Sequence, residues 1–236
     1  MVPGRRPVRL FVIDNDPAAV GQEDNRVALG EDLPVEYLCG HGNVGFGAGH
    51  NLVLGKTGGY HLILNPDAEL AEDALEQALA FMERHPDCGL LTPLATWGNG
   101  QRQYLCKRFP TILDLLLRGL APVFVKHLFK NRLDHYEMRG VTEEKMVWDP
   151  PIVSGCFMLF RRDVLQRLGG FDPAYFLYFE DFDLSLRAAK ITRLAYVPSV
   201  RIVHHGGHAS RKGFRHIAMF GRSALRFFRT HGWRFT

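Results

Sequence analysis

The sequence predicts an α/β fold built on an open, mostly parallel sheet flanked by helices. Two observations carry this expectation. Short β-branched and apolar runs alternate along the chain with stretches of helical periodicity, the order that βαβ units require. Each apolar run also stops abruptly at glycine, asparagine or aspartate, as strands do where an open sheet meets its ligand.

"VRLFVIDND" is the first such run and stops at Asp14. "VEYLC" is the second and stops at the glycine-rich "GHGNVGFGAGHN". "YHLILNPDAEL" then runs apolar to Leu64 and breaks at Asn65, Pro66 and Asp67. From Glu69 to His85 the positions Leu75, Ala78, Leu79 and Met82 recur at helical spacing, with Pro86 as a stop. Residues 97–148 are less regular and include the basic, apolar "KRFPTILDLLLRGLAPVFVKHLFKNRL". "IVSGCFMLF" reads as one buried strand, and "RRDVLQRLGGF" as a short helix capped by Asp163 and closed by Gly169 and Gly170. An acidic, aromatic stretch opens the next helix, "AYVPSVRIVHH" supplies a last strand, and a helix is expected from Phe214 to His231.

The 236 residues, 46% hydrophobic and 23% charged, suit one compact domain over 1–236 and exclude a disordered chain. Cys39, Cys88, Cys106 and Cys156 form no C-x-x-C pair, and no signal-type apolar run precedes Asp14. Free thiols and a cytoplasmic protein are therefore expected. No uncharged run reaches the roughly 18 residues of a membrane span. The net charge of +4 hides an asymmetry: residues 201–236 hold eight Arg or Lys and no Asp or Glu. That tail points to a polyanion, whether nucleic acid, phosphorylated ligand or acidic lipid. On its helix Ile217, Phe220, Ala224, Phe227 and Phe228 share one face, opposite Arg215, Arg222, Arg226 and Arg229. The helix is expected either to lie on an anionic membrane or to dock on the core.

Several clusters invite a functional reading beside a plain one. Gly45, Gly47 and Gly49 sit where backbone could approach a phosphate or sugar, or merely form a turn. A Rossmann reading gains from Asp67, 20 residues after Gly47, but its third glycine would fall at His50. Asn65 and Asp67 are a hard-cation site or a helix cap. His204, His205 and His208 are a metal set without a fourth ligand, or loop histidines, and one of them joining Asp67 is chemically reasonable. In "YFLYFEDFDLSLR", residues 175–187, three carboxylates stand among rings. Asp183 has an i,i+4 partner in Arg187, whereas Glu180 and Asp181 exceed what a helix start requires.

The ordered set "VIDND", "NVGFGAGHN", "LILNPDAEL", "VSGCFMLFRRDVLQRLGGFD", "FLYFEDFDLSLR" and "VPSVRIVHHGGHAS" resembles glycosyltransferase family 2, in particular its rhamnosyltransferase-like members that extend bacterial cell-surface glycans. The likeness covers residues 8–210. It implies a GT-A-like fold and an inverting, metal-dependent transfer from a nucleotide-diphosphate sugar to a glycan or lipid-linked acceptor. Residues 1–96 would form the nucleotide-sugar half, 97–210 the acceptor half with the catalytic base, and 211–236 the basic amphipathic helix. A peripheral place on the inner face of the plasma membrane follows, with phosphorylated donor and acidic lipid rather than nucleic acid as the polyanions.

Residue by residue, the resemblance implies that Asp14 and Asn15 contact the donor's base. The 43–51 loop, with Asn43, Gly45, Phe46, Gly47 and Asn51, matches further donor-binding residues. Asp67 matches the last acid of the D-x-D motif that holds Mg2+ or Mn2+, with Asn65 in place of the first acid. His204 matches a residue that helps hold the metal or diphosphate. Asp181 matches the catalytic base, with Glu180 beside it, and the rings nearby, with Gly155 and Tyr178, would wall the acceptor site. One departure is that family members begin with an additional strand before the "VDN" strand, whereas only seven residues precede Val8 here. The expectation is a sheet lacking its usual first strand, with self-association into a homo-oligomer or weak nucleotide binding as consequences. A catalytically impaired sugar-nucleotide-binding or assembly subunit and a dinucleotide oxidoreductase are the competing readings.

Overall fold

A computed structural model describes residues 7–16, 18, 33–56, 58–206 and 213–236. The first two runs form β1 (Leu10–Ile13) and β2 (Val35–Leu38), which pair in parallel with Leu10 opposite Val35. Helix α1 (Phe46–Asn51) follows the glycine-rich turn. A seven-stranded sheet is then built from β3 (Tyr60–Leu64), β4 (Ala68–Leu70), β5 (Cys88–Thr96), β6 (Arg102–Gln103), β8 (Val147–Trp148), β10 (Phe157–Arg161) and β11 (Arg193–His204). Its central order is β3-β10-β5-β11-β4, with β6 on β5 and β8 on β11. The short strands β7 (Cys106–Lys107) and β9 (Ile152–Val153) pair separately.

The large sheet is mixed rather than mostly parallel. β5 and β11 run together, but β10 inserts antiparallel between β3 and β5, and β4 is antiparallel to β11. The physical reason lies in the connection. β10 is reached through a long helical excursion instead of a single crossover helix, so the right-handed parallel crossover does not govern it. Pro198, which has no N–H to donate, lies in the register shift between Val197 and Arg201. Among the described residues, no strand pairs with the free edges of β1 and β3, and no ladder joins the two-stranded sheet to the large one.

Other departures are local. The helix expected from Glu69 starts later, as α2 (Ala74–Arg84), because Ala68–Leu70 is taken into the sheet by β11. Residues 97–148 contain three helices, α3 (Ile112–Gly119), α4 (Val123–Leu128) and α5 (Lys130–Tyr136). "IVSGCFMLF" is broken between β9 and β10, since the Gly155 N–H is donated to the Asp181 carboxylate rather than to a ladder. Helix α6 (Arg162–Leu168) has Asp163 in its first turn, not at the cap, and ends at Gly169 in the left-handed region.

Helices α7 (Glu180–Ala188) and α8 (Gly213–His231) complete the chain. One apolar cluster lies between the sheet and α2, and another between the sheet, α6 and α7. A third joins Tyr175 and Phe179 to Phe227 and Phe228. This cluster decides where the carboxyl-terminal helix lies. Phe227 and Phe228 are fully buried, and Phe179 meets the Phe220 and Phe227 rings at 5.1 and 5.2 Å, so the face holding these rings docks on the core and is not a membrane face. Only Ile217 of that expected stripe is strongly exposed. Among the described residues no helix is long and apolar enough to cross a membrane.

Candidate active site

The register of the sheet assembles the first half of the site. Pairing of β4 with β11 sets Ala68 opposite His204, which places Asp67 beside the histidine ring. The His204 Nε2 lies 3.3 Å from Asp67 Oδ1. Gly206 leaves room for this contact, because a Cβ there would stand 2.7 Å from both Asp67 Oδ2 and His204 Nε2 and would displace them. Asp67 is thus no helix cap; it precedes a strand, and its carboxylate is 43% exposed.

The histidine's protonation follows from its other side. Gln103 donates its amide to the His204 carbonyl, so its Oε1 faces His204 Nδ1 at 2.9 Å and must accept a proton from it. In the neutral ring Nε2 is then a bare lone pair turned to a carboxylate oxygen. It is buried and has no hydrogen-bond partner, and neither has Asn65 Oδ1. A buried imidazole lone pair facing a carboxylate, with an unpartnered amide oxygen two residues before that acid in the chain, offers donor types suited to a divalent cation, and an oriented imidazole of this kind is a usual ligand. Asp67, His204 and Asn65 therefore fit the expected Mg2+ or Mn2+. Among the described residues no group of three or more His, Cys, Asp or Glu gathers, so an all-acid-and-histidine cage is absent from them. His205 pairs instead with Glu69 at 3.0 Å. His208 lies outside the described residues.

The second half is the acidic start of α7. Tyr178 and Phe179, immediately before it, both have positive φ, 69° and 66°, a costly backbone for non-glycine residues. The strained turn aims Asp181 back at the broken strand, where Oδ2 accepts the Gly155 N–H at 2.9 Å and Oδ1 the Phe182 N–H at 3.0 Å. Burial raises the Asp181 pKa in spite of these hydrogen bonds. Glu180 is 6% exposed, its Oε2 has no partner, and burial together with the Asp181 charge pushes its pKa up as well. The pair thus holds a proton more tightly than free carboxylates do.

The third acid, Asp183, has a different fate. It is buried between Arg187 at 2.7 Å and His231 at 2.8 Å, tying α7 to α8. Most of the rings are also structural: Tyr175 and Phe179 are buried in the core, which corrects the expectation that the rings as a group wall an acceptor site. Phe176 keeps 43% of its surface exposed. Tyr178 is half-buried and its hydroxyl is engaged by His216 Nδ1 at 3.0 Å.

The two halves meet at residues 154–156. The Asn65 N–H bonds the Cys156 carbonyl at 3.0 Å while Gly155 holds Asp181. Burial first, and then the carboxylates of Asp181 and Asp67, push the Cys156 thiol up to about 12. One short segment therefore contacts both the strand end with the metal-type donors and the helix start with the raised acid.

Comparison with known proteins places the chain in a family. The family model described as "Glycosyltransferase like family 2" matches residues 59–219. The chain belongs to this family. Among curated relatives, an N-acetylglucosaminyl-diphospho-decaprenol L-rhamnosyltransferase of Mycobacterium tuberculosis is 28% identical over 97% of this chain and 77% of its own length. The rhamnosyltransferase WbbL of Escherichia coli K12 is 26% identical over 76% of this chain and 67% of its own. Of solved structures, GalNAc-T7 with UDP, GalNAc and Mn2+ aligns at a TM-score of 0.54 and 16% identity, over 83% of this chain and 37% of that one. The mannosyltransferase PcManGT of Pyrobaculum calidifontis, in complex with GDP-Man and Mn2+, aligns at 0.50 and 20%, over 93% and 55%. At such identities the likeness establishes the GT-A fold. The chain spans 37% and 55% of those two structures.

In this family-2 chain the loop residues assigned to the donor divide in two. Asp14 and Asn15 end β1 on the open side. Tyr37 donates to Asp14, which lowers the acid and pushes the phenol up to about 12, and Asn15 bridges the Gly45 carbonyl at 3.1 Å and His41 at 3.0 Å. Asn43 accepts the Gly45 N–H at 3.1 Å. Phe46 lies near Asp181: a Cβ on Gly155 would stand 3.4 Å from Phe46 Cε1 and 3.2 Å from Asp181 Cβ. Gly45, Gly47 and Asn51 belong to the scaffold instead. Gly45 has φ 91° and a Cβ there would lie 2.4 Å from the Phe176 carbonyl oxygen. Asn51 clamps both the N–H and the carbonyl of Phe171, at 2.9 and 2.8 Å. The sequence had no signal for Gln103, or for Trp97, whose ring stacks on His204 with centroids 6.5 Å apart.

Two consequences can be measured. A Cβ on Gly47 would stand 2.7 Å from Phe171 Cβ, so Gly47→Ala is expected to cost about 1–3 kcal/mol by overpacking, read as a fall of several degrees in Tm. An unchanged Tm would show that the loop has slack. For Glu180 the raised folded pKa means that the native state binds the extra proton, so its contribution is present at low pH and lost as pH rises through the folded pKa. The Tm of Glu180→Gln relative to the native protein should therefore climb between about pH 5 and about pH 9. A difference independent of pH would mean that Glu180 titrates normally.

Proposed function

We propose that this chain catalyses inverting transfer of a sugar, rhamnose being the first candidate, from a nucleotide-diphosphate donor to a glycan or lipid-linked glycan acceptor. The observation that carries the reading is the junction at Gly155 and Cys156, which joins a raised, hydrogen-bonded carboxylate to a metal-type donor pair. Two relatives named as rhamnosyltransferases support the sugar, and one of them, named for an N-acetylglucosaminyl-diphospho lipid, supports the acceptor class.

In this reading Asp181 takes the proton of the acceptor hydroxyl as that oxygen attacks the anomeric carbon. Its raised pKa makes it a stronger base than a solvated aspartate, and Gly155 and Phe182 fix its aim. Glu180, holding the proton of the pair, leaves a single negative charge beside the reacting centre. Asp14 and Asn15 meet the nucleoside, with Asn43 shaping the loop behind them. Phe46 lines the donor beside Gly155, and Tyr178 shapes the acceptor side through its bond to His216. A bound Mg2+ or Mn2+, held by Asp67 and His204 with Asn65 beside them, would supply charge neutralisation on the departing diphosphate.

Incubation with a panel of nucleotide-diphosphate sugars, with Mg2+ or Mn2+ and an N-acetylglucosaminyl-diphospho-lipid acceptor, tests the proposal. Release of nucleoside diphosphate coupled to glycolipid formation is expected, strongest with a rhamnose donor. Among the described residues no ladder joins β1 and β2 to the large sheet, and this supports a second reading, an impaired donor-binding subunit. Donor binding without any transfer across the panel would support it.

A further inference from the structure

Residues 115–133 contain four Arg or Lys, one His and no Asp or Glu. Along the turn after α3 and through α4, Leu120, Val123, Phe124 and Leu128 are exposed at 72%, 84%, 75% and 81%, with Leu116 and Phe129 partly exposed beside them. Single exposed leucines are ordinary in soluble proteins, but a run of large apolar side chains projecting from one tip is not. No residue of α4 is buried. The tip is held out by a rigid base: Thr111 and Asp114 form a capping box, and Arg132 of α5 reaches Asp114 at 2.7 Å and Thr111 at 2.8 Å.

The surroundings of the tip are cationic. A cleft of about 270 Å³ opens between α3 and α5, and Arg118, Lys126, Lys130 and Arg139 line it with His127. Its two carboxylates are outnumbered by these cations: Asp134 pairs with Lys130 and Arg139, and Glu137 with Arg118 and Arg139, which leaves Lys126 and His127 without a carboxylate partner among the cleft's lining residues. On the neighbouring side the carboxyl terminus is strapped to α3 by Ile112 N–H to Arg234 and Leu113 N–H to Phe235, at 2.9 and 3.2 Å. Trp233 and Phe235 there are exposed at 46% and 64%.

We infer that the tip formed by α3, the turn after it and α4 seats in the surface of an anionic phospholipid bilayer. The apolar side chains enter the headgroup boundary, Trp233 and Phe235 lie at the interface, and the cations around the cleft meet lipid phosphates. A second copy of this chain is the poorer occupant, since a two-fold contact would set the same cationic rim against itself. The surface does not depend on the proposed transfer. If that transfer holds, the seating accounts for access to a lipid-linked acceptor.

Cosedimentation of the full chain with vesicles, without any sugar nucleotide, tests this. Binding is expected to mixed phosphatidylglycerol and phosphatidylcholine vesicles and to weaken on adding salt, with little binding to phosphatidylcholine alone. Phe124→Glu/Leu128→Glu and Lys126→Glu/Lys130→Glu should each lower the vesicle-bound to free ratio by about 10-fold or more. The Tm of Phe124→Glu/Leu128→Glu should hold, the altered side chains being exposed, whereas Lys126→Glu/Lys130→Glu also gives up the exposed Lys130–Asp134 pair and should lower Tm slightly. Absence of binding by the native chain, or native-like binding by Phe124→Glu/Leu128→Glu, would overturn the inference. A native dimer that this variant converts to monomer, measured by sedimentation velocity, would assign the face to a second copy instead.

Discussion

Asp181→Asn is expected to lower the transfer rate by about 10²-fold or more, with donor affinity and Tm nearly unchanged. The substitution keeps the shape and one of the two backbone bonds, from Gly155 or from Phe182, and gives up the other, worth about 1 kcal/mol. Against that loss stands the relief of not burying an ionisable group whose charge the site disfavours. What cannot be kept is the proton acceptor. The loss should therefore fall on the rate of the chemical step, read in single-turnover experiments, and not on donor binding, read by calorimetry. Near-normal turnover in a folded Asp181→Asn protein would remove the residue from the role of base. Glu180→Gln is the informative contrast, since a carboxyl that is already neutral is imitated by an amide, and its rate should change far less.

Asp67→Ala is expected to abolish the gain in nucleoside diphosphate affinity that Mn2+ confers, a loss of about 10²-fold. The facing pair of acceptors is the reason. With Nδ1 committed to Gln103, Nε2 and Asp67 Oδ1 stand 3.3 Å apart with nothing shared between them unless a proton or a cation sits there. A proton would make a plain ion pair, indifferent to Mn2+. Calorimetric titration of nucleoside diphosphate with and without Mn2+ separates the two: equal affinities in the native protein would leave the pair as an ion pair. Gln103→Leu should weaken the Mn2+ effect about tenfold, by freeing the ring to rotate or change tautomer.

The strand ends carrying Asp14 and Asp67 were legible because an apolar run that stops at an acid marks the point where a buried strand leaves the core. Glu180 and Asp181 were legible for a related reason, being more carboxylate than a helix start needs. The glycines of the 43–51 loop misled, because sequence does not distinguish a backbone bared for a ligand from one bared for Phe171 and Phe176, more than a hundred residues away. Rings that read as an acceptor wall proved to be core, since an amphipathic helix such as α8 looks alike whether its apolar face meets lipid or Phe179. The antiparallel insertion of β10 and the orienting Gln103 arise from long-range pairing and leave no local pattern.

The most direct measurement is the anomeric configuration of the sugar in the product, determined by NMR on a single transferred residue from a donor of known configuration. In the proposed reading Asp181 acts as the single base and the neighbouring Glu180 stays protonated, so a one-step displacement without a glycosyl-enzyme intermediate predicts complete inversion. Retention would require a nucleophile on the enzyme and would contradict the assignment of Asp181 as the base.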